Sequence, residues 1–355
     1  MKTILLDKIG SVTLNCHLSR EVRVSDDIAA VEGGAVAVRV LNSKSTYNQL
    51  ELPSGRFSRV KPGDLAAVAL GHRKALFGYS GYVPERINVG DKLNLLNLGG
   101  VLGVCDAVNP DLGDPFVCEV LGQILHFPYL GERIGVPAHI SQNALPLEDR
   151  VDLRGIPVVA LVGSSMNAGK TAAACALVQA FTHLGLKVAA GKATGVSLRR
   201  DILAMEDAGA QHTLIFTDFG IVTTTPESAP RACRALLTHL AADNPDVIVL
   251  ELGDGLLGLY GVDAILNDPE IRPALSAVLL AAMDPVAAWG GVRLLQERHQ
   301  LPTTAVTGPA TDNAAGSRII ERQTGITCLN ARSEAAALGR LVVAQLHLEP
   351  AGRVS

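Results

Sequence analysis

The sequence predicts an α/β chain in two parts. A β-rich, barrel- or sandwich-like domain over residues 1–145 is followed by a parallel-sheet domain over 156–349, with 146–155 as the linker. Three observations point there. Short alternating or apolar runs (Ala35 to Leu41, Leu65 to Leu70, Lys92 to Leu96, Val101 to Cys105) are separated by Gly, Pro and Asp turns at roughly ten-residue spacing, the texture of an antiparallel sandwich or small barrel. From residue 157 on, continuous apolar runs alternate with amphipathic stretches, the pattern of a parallel sheet covered on both faces. Between the two textures lies the polar segment around Pro146 to Gly155.

In the first part, Glu32-Gly33-Gly34, Pro53-Ser54-Gly55, Lys61-Pro62-Gly63-Asp64 and Val89-Gly90-Asp91 mark hairpin turns between strands. From Asp114 to Pro137 the pattern is mixed. In the second part, strands are expected at 157–162, 187–192, 213–217, 246–251, 277–283 and 303–307. Helices are expected at 169–184, 199–208, 228–242, 285–299 and 312–323, with a closing helix near 333–347.

Composition narrows the function. Of 355 residues 48% are apolar and the net charge is −4, so a soluble globular protein is expected and no concentrated basic surface speaks for nucleic acid. The N-terminus lacks the long apolar stretch of a signal peptide, and runs such as Val247 to Leu250 are too short to span a bilayer. Six scattered cysteines show no CxxC and no Cys/His spacing for a metal, as expected of reduced structural thiols in a cytoplasmic protein.

The most informative stretch follows the apolar run Val158 to Val162. There Gly163, Ser164, Ser165, Met166, Asn167, Ala168, Gly169, Lys170 and Thr171 form a glycine-bounded loop opening an alanine-rich helix. Strand, loop and helix in that order build a phosphate site of the Walker A type. Backbone N–H groups and the positive end of the helix dipole converge on one anion. Lys170 would reach the terminal phosphates and Thr171 would ligate Mg²⁺. The spacing departs from the usual pattern, because five residues separate the two glycines instead of four.

In parallel sheets, ligands bind outside the carboxyl ends of the strands. Lys192-Ala193-Thr194-Gly195, with Ser197, Arg199, Arg200 and Asp201 beyond, could hold an anionic substrate group, with Asp201 assisting Mg²⁺ through water. Glu251-Leu252-Gly253-Asp254-Gly255 places an acid where a Mg²⁺-linked carboxylate belongs, and Asp254 could orient a nucleophile. Thr223-Thr224-Thr225-Pro226 reads equally as a substrate contact or a helix start, and Gly308 to Asn313 could face the nucleotide base.

On the loop ending Gly169-Lys170-Thr171, the Lys192-Ala193-Thr194-Gly195 segment and Glu251 to Gly255, residues 156 to about 330 resemble the dethiobiotin-synthetase-like (SIMIBI-type) branch of P-loop NTPases. The chain is also similar to an uncharacterised P-loop family that includes D-glutamate N-acetyltransferases. The first resemblance implies that these elements hold the phosphates, the substrate with the transferred γ-phosphate, and Mg²⁺. Ser165 stands where the synthetase has an acid and where partition ATPases have their signature lysine. The N-terminal β domain has no counterpart in dethiobiotin synthetase, so that reaction is not expected.

The function expected is therefore phosphoryl transfer from Mg-ATP (or GTP) to a small-molecule carboxylate or similar acceptor, of ligase or kinase type. Lys170, Lys192 and Glu251 are the candidate catalytic residues, and Thr171, Glu251 and Asp201 the candidate metal ligands. Two alternatives stay open: a nucleotide-driven switch acting on a protein partner, and a CoA-dependent acyltransferase using the loop for CoA phosphates. The partners expected are a nucleotide and a small-molecule substrate, in a homo-oligomer, with no nucleic acid and no membrane.

Overall fold

The computed structural model describes residues 1–75, 77–129, 131 and 133–349. The chain divides into two compact units. The first comprises Met1–Pro146 together with Val196–Arg200 and Thr217–Thr223; the second comprises Leu147–Gly195, Asp201–Phe216 and the chain from Thr224 on. Residues 144–157 contain no helix or strand. Among the described residues no helix is long and apolar enough to cross a membrane.

Five strands of the first unit close on themselves. Phe116–His126 pairs antiparallel with Ala35–Val40, which pairs antiparallel with Leu65–Leu70. Leu65–Leu70 runs parallel to Val101–Ala107, which pairs antiparallel with Lys92–Leu95. Lys92–Leu95 then returns to Phe116–His126, completing a barrel rather than a sandwich. Each strand sends side chains to one cluster that contains Val36, Val38, Val68, Leu93, Leu102 and Val120, as a closed interior requires.

The intervening residues are buried as well: Ala35, Ala37, Ala67 and Ala69 pack outward against Val12 and Val24. Burial on both faces explains why these strands read as apolar runs instead of clean alternation. The mixed stretch after Asp114 opens with one long strand, Phe116–His126. Its register shifts between Val120 and Gly122, where Gly122 takes φ +148° and a Cβ would lie 2.6 Å from the Ser25 carbonyl.

The second unit holds six parallel strands: Val158–Gly163 (β1), Val188–Thr194 (β2), His212–Ile215 (β3), Val247–Leu252 (β4), Leu275–Ala281 (β5) and Ala305–Thr307 (β6). Their order across the sheet is β3-β2-β4-β1-β5-β6. The helices are Lys170–His183 (α1), Arg200–Asp207 (α2), Ala229–Ala241 (α3), Val262–Leu266 (α4), Pro285–Arg298 (α5), Ala314–Thr324 (α6) and Ala335–Leu346 (α7).

Val159, Leu161, Val188, Val249 and Leu279 form one core with Leu177 and Phe181 of α1 and Val342 of α7. The alternate residues face the other way. There Gly191 leaves room for Leu236 of α3, and Gly291 of α5 leaves room for Leu280. Truncating a wholly buried ring such as Phe181 to alanine typically costs about 3–5 kcal/mol.

The fifth strand, Leu275–Ala281, lies two residues earlier than the expected 277–283. The third strand ends at Ile215, not 217, because Phe216–Phe219 turns into a 3₁₀ helix. The short helix α4 was not anticipated; five residues are too few for helical periodicity to register.

Candidate functional site

The glycine-bounded loop leaves the buried strand β1 and enters α1 with Asn167 at φ +65° and Gly169 at φ +93°. These left-handed residues turn the chain tightly enough for the loop to fold over the end of β1. The N-cap of α1 is Gly169, which has no side chain to offer the N–H groups of the first turn. Ser164 N–H donates to the Ala281 carbonyl at 2.9 Å, and Met283 N–H donates to Ser164 Oγ at 3.3 Å, tying the loop to the end of β5.

The neighbouring turns supply glycines where the loop needs space. A Cβ on Gly255 would lie 2.9 Å from Ser165 Cα. Gly308 has φ +90°, and a Cβ there would strike the Ala168 carbonyl. The stretch from Gly308, expected at the nucleotide base, therefore begins against the loop itself. Further along, Thr311 and Asp312 accept from the Asn330 amide at 3.1 and 2.9 Å.

Lys170 is only 6% exposed. Its ammonium donates to the Ser165 carbonyl at 2.9 Å and to the Asp254 carbonyl, and its stem lies over Gly163, whose missing side chain makes the space. Burial pulls its pKa below the ordinary lysine value, opposed by the nearby Glu251 carboxylate.

Lys192 and Glu251 are register partners on β2 and β4, with Nζ 3.7 Å from Oε1. Lys192 also forms a close ion pair with Asp201 at the start of α2. Gly253 makes room for it: a Cβ there would lie 3.1 Å from Lys192 Cε. Glu251 is 2% exposed, and burial raises its pKa. Lys192, Lys170 and a hydrogen bond from the Thr171 hydroxyl work the other way, favouring the carboxylate.

The structure thus brings together Lys170, Thr171, Lys192, Asp201, Glu251 and Asp254 at the carboxyl ends of β1, β2 and β4. Asp201 stands as the counter-ion of Lys192. Other expected contacts are occupied structurally. Thr194 Oγ1 donates to the Gly253 carbonyl, and Arg199 donates to the Pro53 carbonyl at 3.0 Å. The Thr run holds the backbone: Thr223 Oγ1 donates to the His72 carbonyl and Thr224 Oγ1 to the Tyr260 carbonyl, at 2.5 and 2.8 Å. Ser165 Oγ donates to the Met166 carbonyl at 3.1 Å. The space-making role of Gly253 was missed. Its signal in the sequence was a glycine two residues after the strand-end acid.

The residues fit Mg²⁺. Thr171, Glu251 and Asp254 offer only hard oxygen donors, the set this ion prefers when phosphates and water complete its shell. Among the described residues no group of three His, Cys, Asp or Glu side chains is placed to hold a metal by itself, and a phosphate-shared ion does not need one.

No family model and no curated protein matches the sequence. Several solved structures are similar to part of the chain. The signal recognition particle 54 kDa protein from Aeropyrum pernix, in complex with GDP, is 18% identical with a TM-score of 0.38, over 54% of this chain and 46% of that one. The signal recognition particle receptor FtsY from Elizabethkingia anophelis is 16% identical with a TM-score of 0.37, over 56% and 68%. A DUF1611 family protein from Anabaena variabilis is 13% identical with a TM-score of 0.38, over 57% and 62%. The chain spans about half the length of the first of these. At such identities and scores the function has to be argued from the site itself.

Proposed function

We propose that the second unit binds a nucleoside triphosphate with Mg²⁺ and transfers its γ-phosphoryl group to the carboxylate, or a similar oxygen, of a small molecule. The observation that carries this reading is the pairing of a buried loop lysine with a second lysine held between two carboxylates, all at one end of the sheet. Phosphoryl transfer needs little covalent help from protein; it needs positioning and charge stabilisation, which this group supplies.

Lys170 would exchange the Ser165 and Asp254 carbonyls for phosphate oxygens, regaining a charged partner for a buried ammonium. The Thr171 hydroxyl and the Glu251 carboxylate would hold Mg²⁺, which supplies charge neutralisation between phosphate oxygens. Lys192, kept in place by Asp201 and Glu251, would orient the acceptor oxygen. The absence of an acid or lysine at Ser165 supports a variant of the dethiobiotin-synthetase-like arrangement rather than the synthetase or a lysine-fingered switch.

The test is Mg²⁺-dependent phosphate release from ATP and from GTP, compared between wild type and Lys170→Ala. Loss of release in the variant, with its melting curve retained, supports the assignment. Release at the wild-type rate would sink it. Stimulation by a protein, with no small-molecule acceptor, would favour a nucleotide-driven switch instead.

A further inference from the structure

A further buried carboxylate, Glu51, lies in the first unit. Glu51 is fully buried at 0% exposure. Its Oε2 accepts from the Ser11 hydroxyl and, at 2.8 Å, from the backbone N–H of Arg199, 148 residues away in sequence. Oε1 is buried without a hydrogen-bond partner among the described residues. Burying a carboxylate with one oxygen unsatisfied is costly, so what it holds should matter.

What it holds is the five-residue segment Val196–Arg200, part of the first unit. Three of that segment's backbone groups are fastened there. Arg199 N–H goes to Glu51, the Ser197 carbonyl accepts from Asn97 Nδ2 at 2.7 Å, and Ser197 N–H donates to the Val222 carbonyl at 2.8 Å. The Arg199 guanidinium adds the Pro53 carbonyl. A Cβ on Gly99 would collide with the Ser197 carbonyl, so the approach is as close as backbone allows. The same segment is the larger part of the chain between Lys192 near the end of β2 and Asp201 at the start of α2, the two members of the buried ion pair.

We infer that Glu51 is a positioning residue for the nucleotide site: by fixing Val196–Arg200 it sets where Asp201 meets Lys192. The inference rests on the phosphoryl-transfer reading above. With the segment loose, Asp201 drifts, and Lys192 turns wholly to Glu251, 3.7 Å away, competing with Mg²⁺ for that carboxylate. The defect is then in catalysis and metal demand, and nucleotide binding through the loop is spared. A glutamine at 51 keeps an acceptor oxygen of the same reach for Ser11 and Arg199, so it rescues; alanine does not.

The experiment compares full-length wild type, Glu51→Ala, Glu51→Gln and the milder Ser11→Ala. The readouts are melting temperature, nucleotide affinity, kcat and the Mg²⁺ concentration for half-maximal turnover. For Glu51→Ala the expected result is kcat down by about tenfold or more and Mg²⁺ demand up several-fold, scaled to the loss of a hydrogen bond to a charged acceptor. Nucleotide affinity should stay within about twofold, Glu51→Gln should be near wild type, and Ser11→Ala should fall between. If Glu51→Ala does not fold, Ser11→Ala carries the test alone: kcat and Mg²⁺ demand move with affinity unchanged. Altered melting temperature with unchanged kcat and Mg²⁺ demand overturns the inference and leaves the nucleotide assignment standing. Absence of turnover in wild type itself overturns both, and is recognised before any variant is made.

Discussion

Lys192 on β2 and Glu251 on β4 face each other across adjacent parallel strands, with the ammonium 3.7 Å from one carboxylate oxygen and both side chains shielded from solvent. Asp201 completes the group from the start of α2. A buried lysine shared by two buried acids is an electrostatic arrangement whose members depend on each other's position.

Gly253→Ala places a methyl 3.1 Å from Lys192 Cε and 2.9 Å from the Thr194 carbonyl. The backbone oxygen cannot yield, so the lysine must. Turnover should fall by about tenfold, which is ~1.4 kcal/mol of transition-state stabilisation, while nucleotide affinity changes little. Steady-state kinetics beside a binding titration measure this, and an unaltered kcat would remove Lys192 from the catalytic group.

Lys170→Met should abolish the nucleotide response without lowering the melting temperature. Burial disfavours the charge of Lys170, so its folded pKa lies below its unfolded one. The folded state then binds fewer protons, and this residue's contribution to stability rises with pH between its lowered pKa and the ordinary lysine value of about 10.4. Below that window the buried ammonium is a liability, which the methionine removes. Melting curves of both proteins at several pH values show whether the difference narrows as the solution becomes alkaline.

Glu251 has the opposite sign. Its folded pKa is raised by burial, so stability falls as pH climbs from the ordinary glutamate value of about 4.3 towards the raised one. Glu251→Gln should lack that loss, and its stability advantage over wild type should appear above this window. Turnover should depend on Glu251 being ionised, so Mg²⁺ demand should rise as pH falls in wild type. A pH-independent Mg²⁺ demand would separate Glu251 from the metal.

Gly308→Ala tests the loop's support. The residue has φ +90°, which any side chain strains, and its Cβ would press on the Ala168 carbonyl. The expected outcome is weaker nucleotide binding with kcat of the saturated enzyme largely retained, read from the dependence of rate on nucleotide concentration.

Much of the second unit was legible in the sequence. Strands buried on both faces give continuous apolar runs, which placed Lys192 and Glu251 at strand ends, while the glycine-bounded loop placed Lys170 at the start of a helix. The first unit was legible only as β-rich. Its closure rests on Lys92–Leu95 pairing with Phe116–His126, and on alanine faces whose burial depends on which strands meet. Nor did Val196–Arg200 or Thr217–Thr223 announce that they belong to the first unit, because their ties include scattered hydrogen bonds to Glu51 and the His72 carbonyl and from Asn97 and Asn15. Arg199 illustrates the limit: its charge suggested an anion contact, whereas its guanidinium reaches the Pro53 carbonyl.

The measurement that bears most directly on the nucleotide site is a thermal-shift panel of ATP, GTP and acetyl-CoA, each with and without Mg²⁺, on wild type and Lys170→Ala. A ligand at a hundred times its Kd stabilises the folded state by about 2.7 kcal/mol, well within detection. The site described here predicts a Mg²⁺-enhanced shift with ATP or GTP in wild type and none in Lys170→Ala. A shift with acetyl-CoA alone, or equal nucleotide shifts in both proteins, would contradict it.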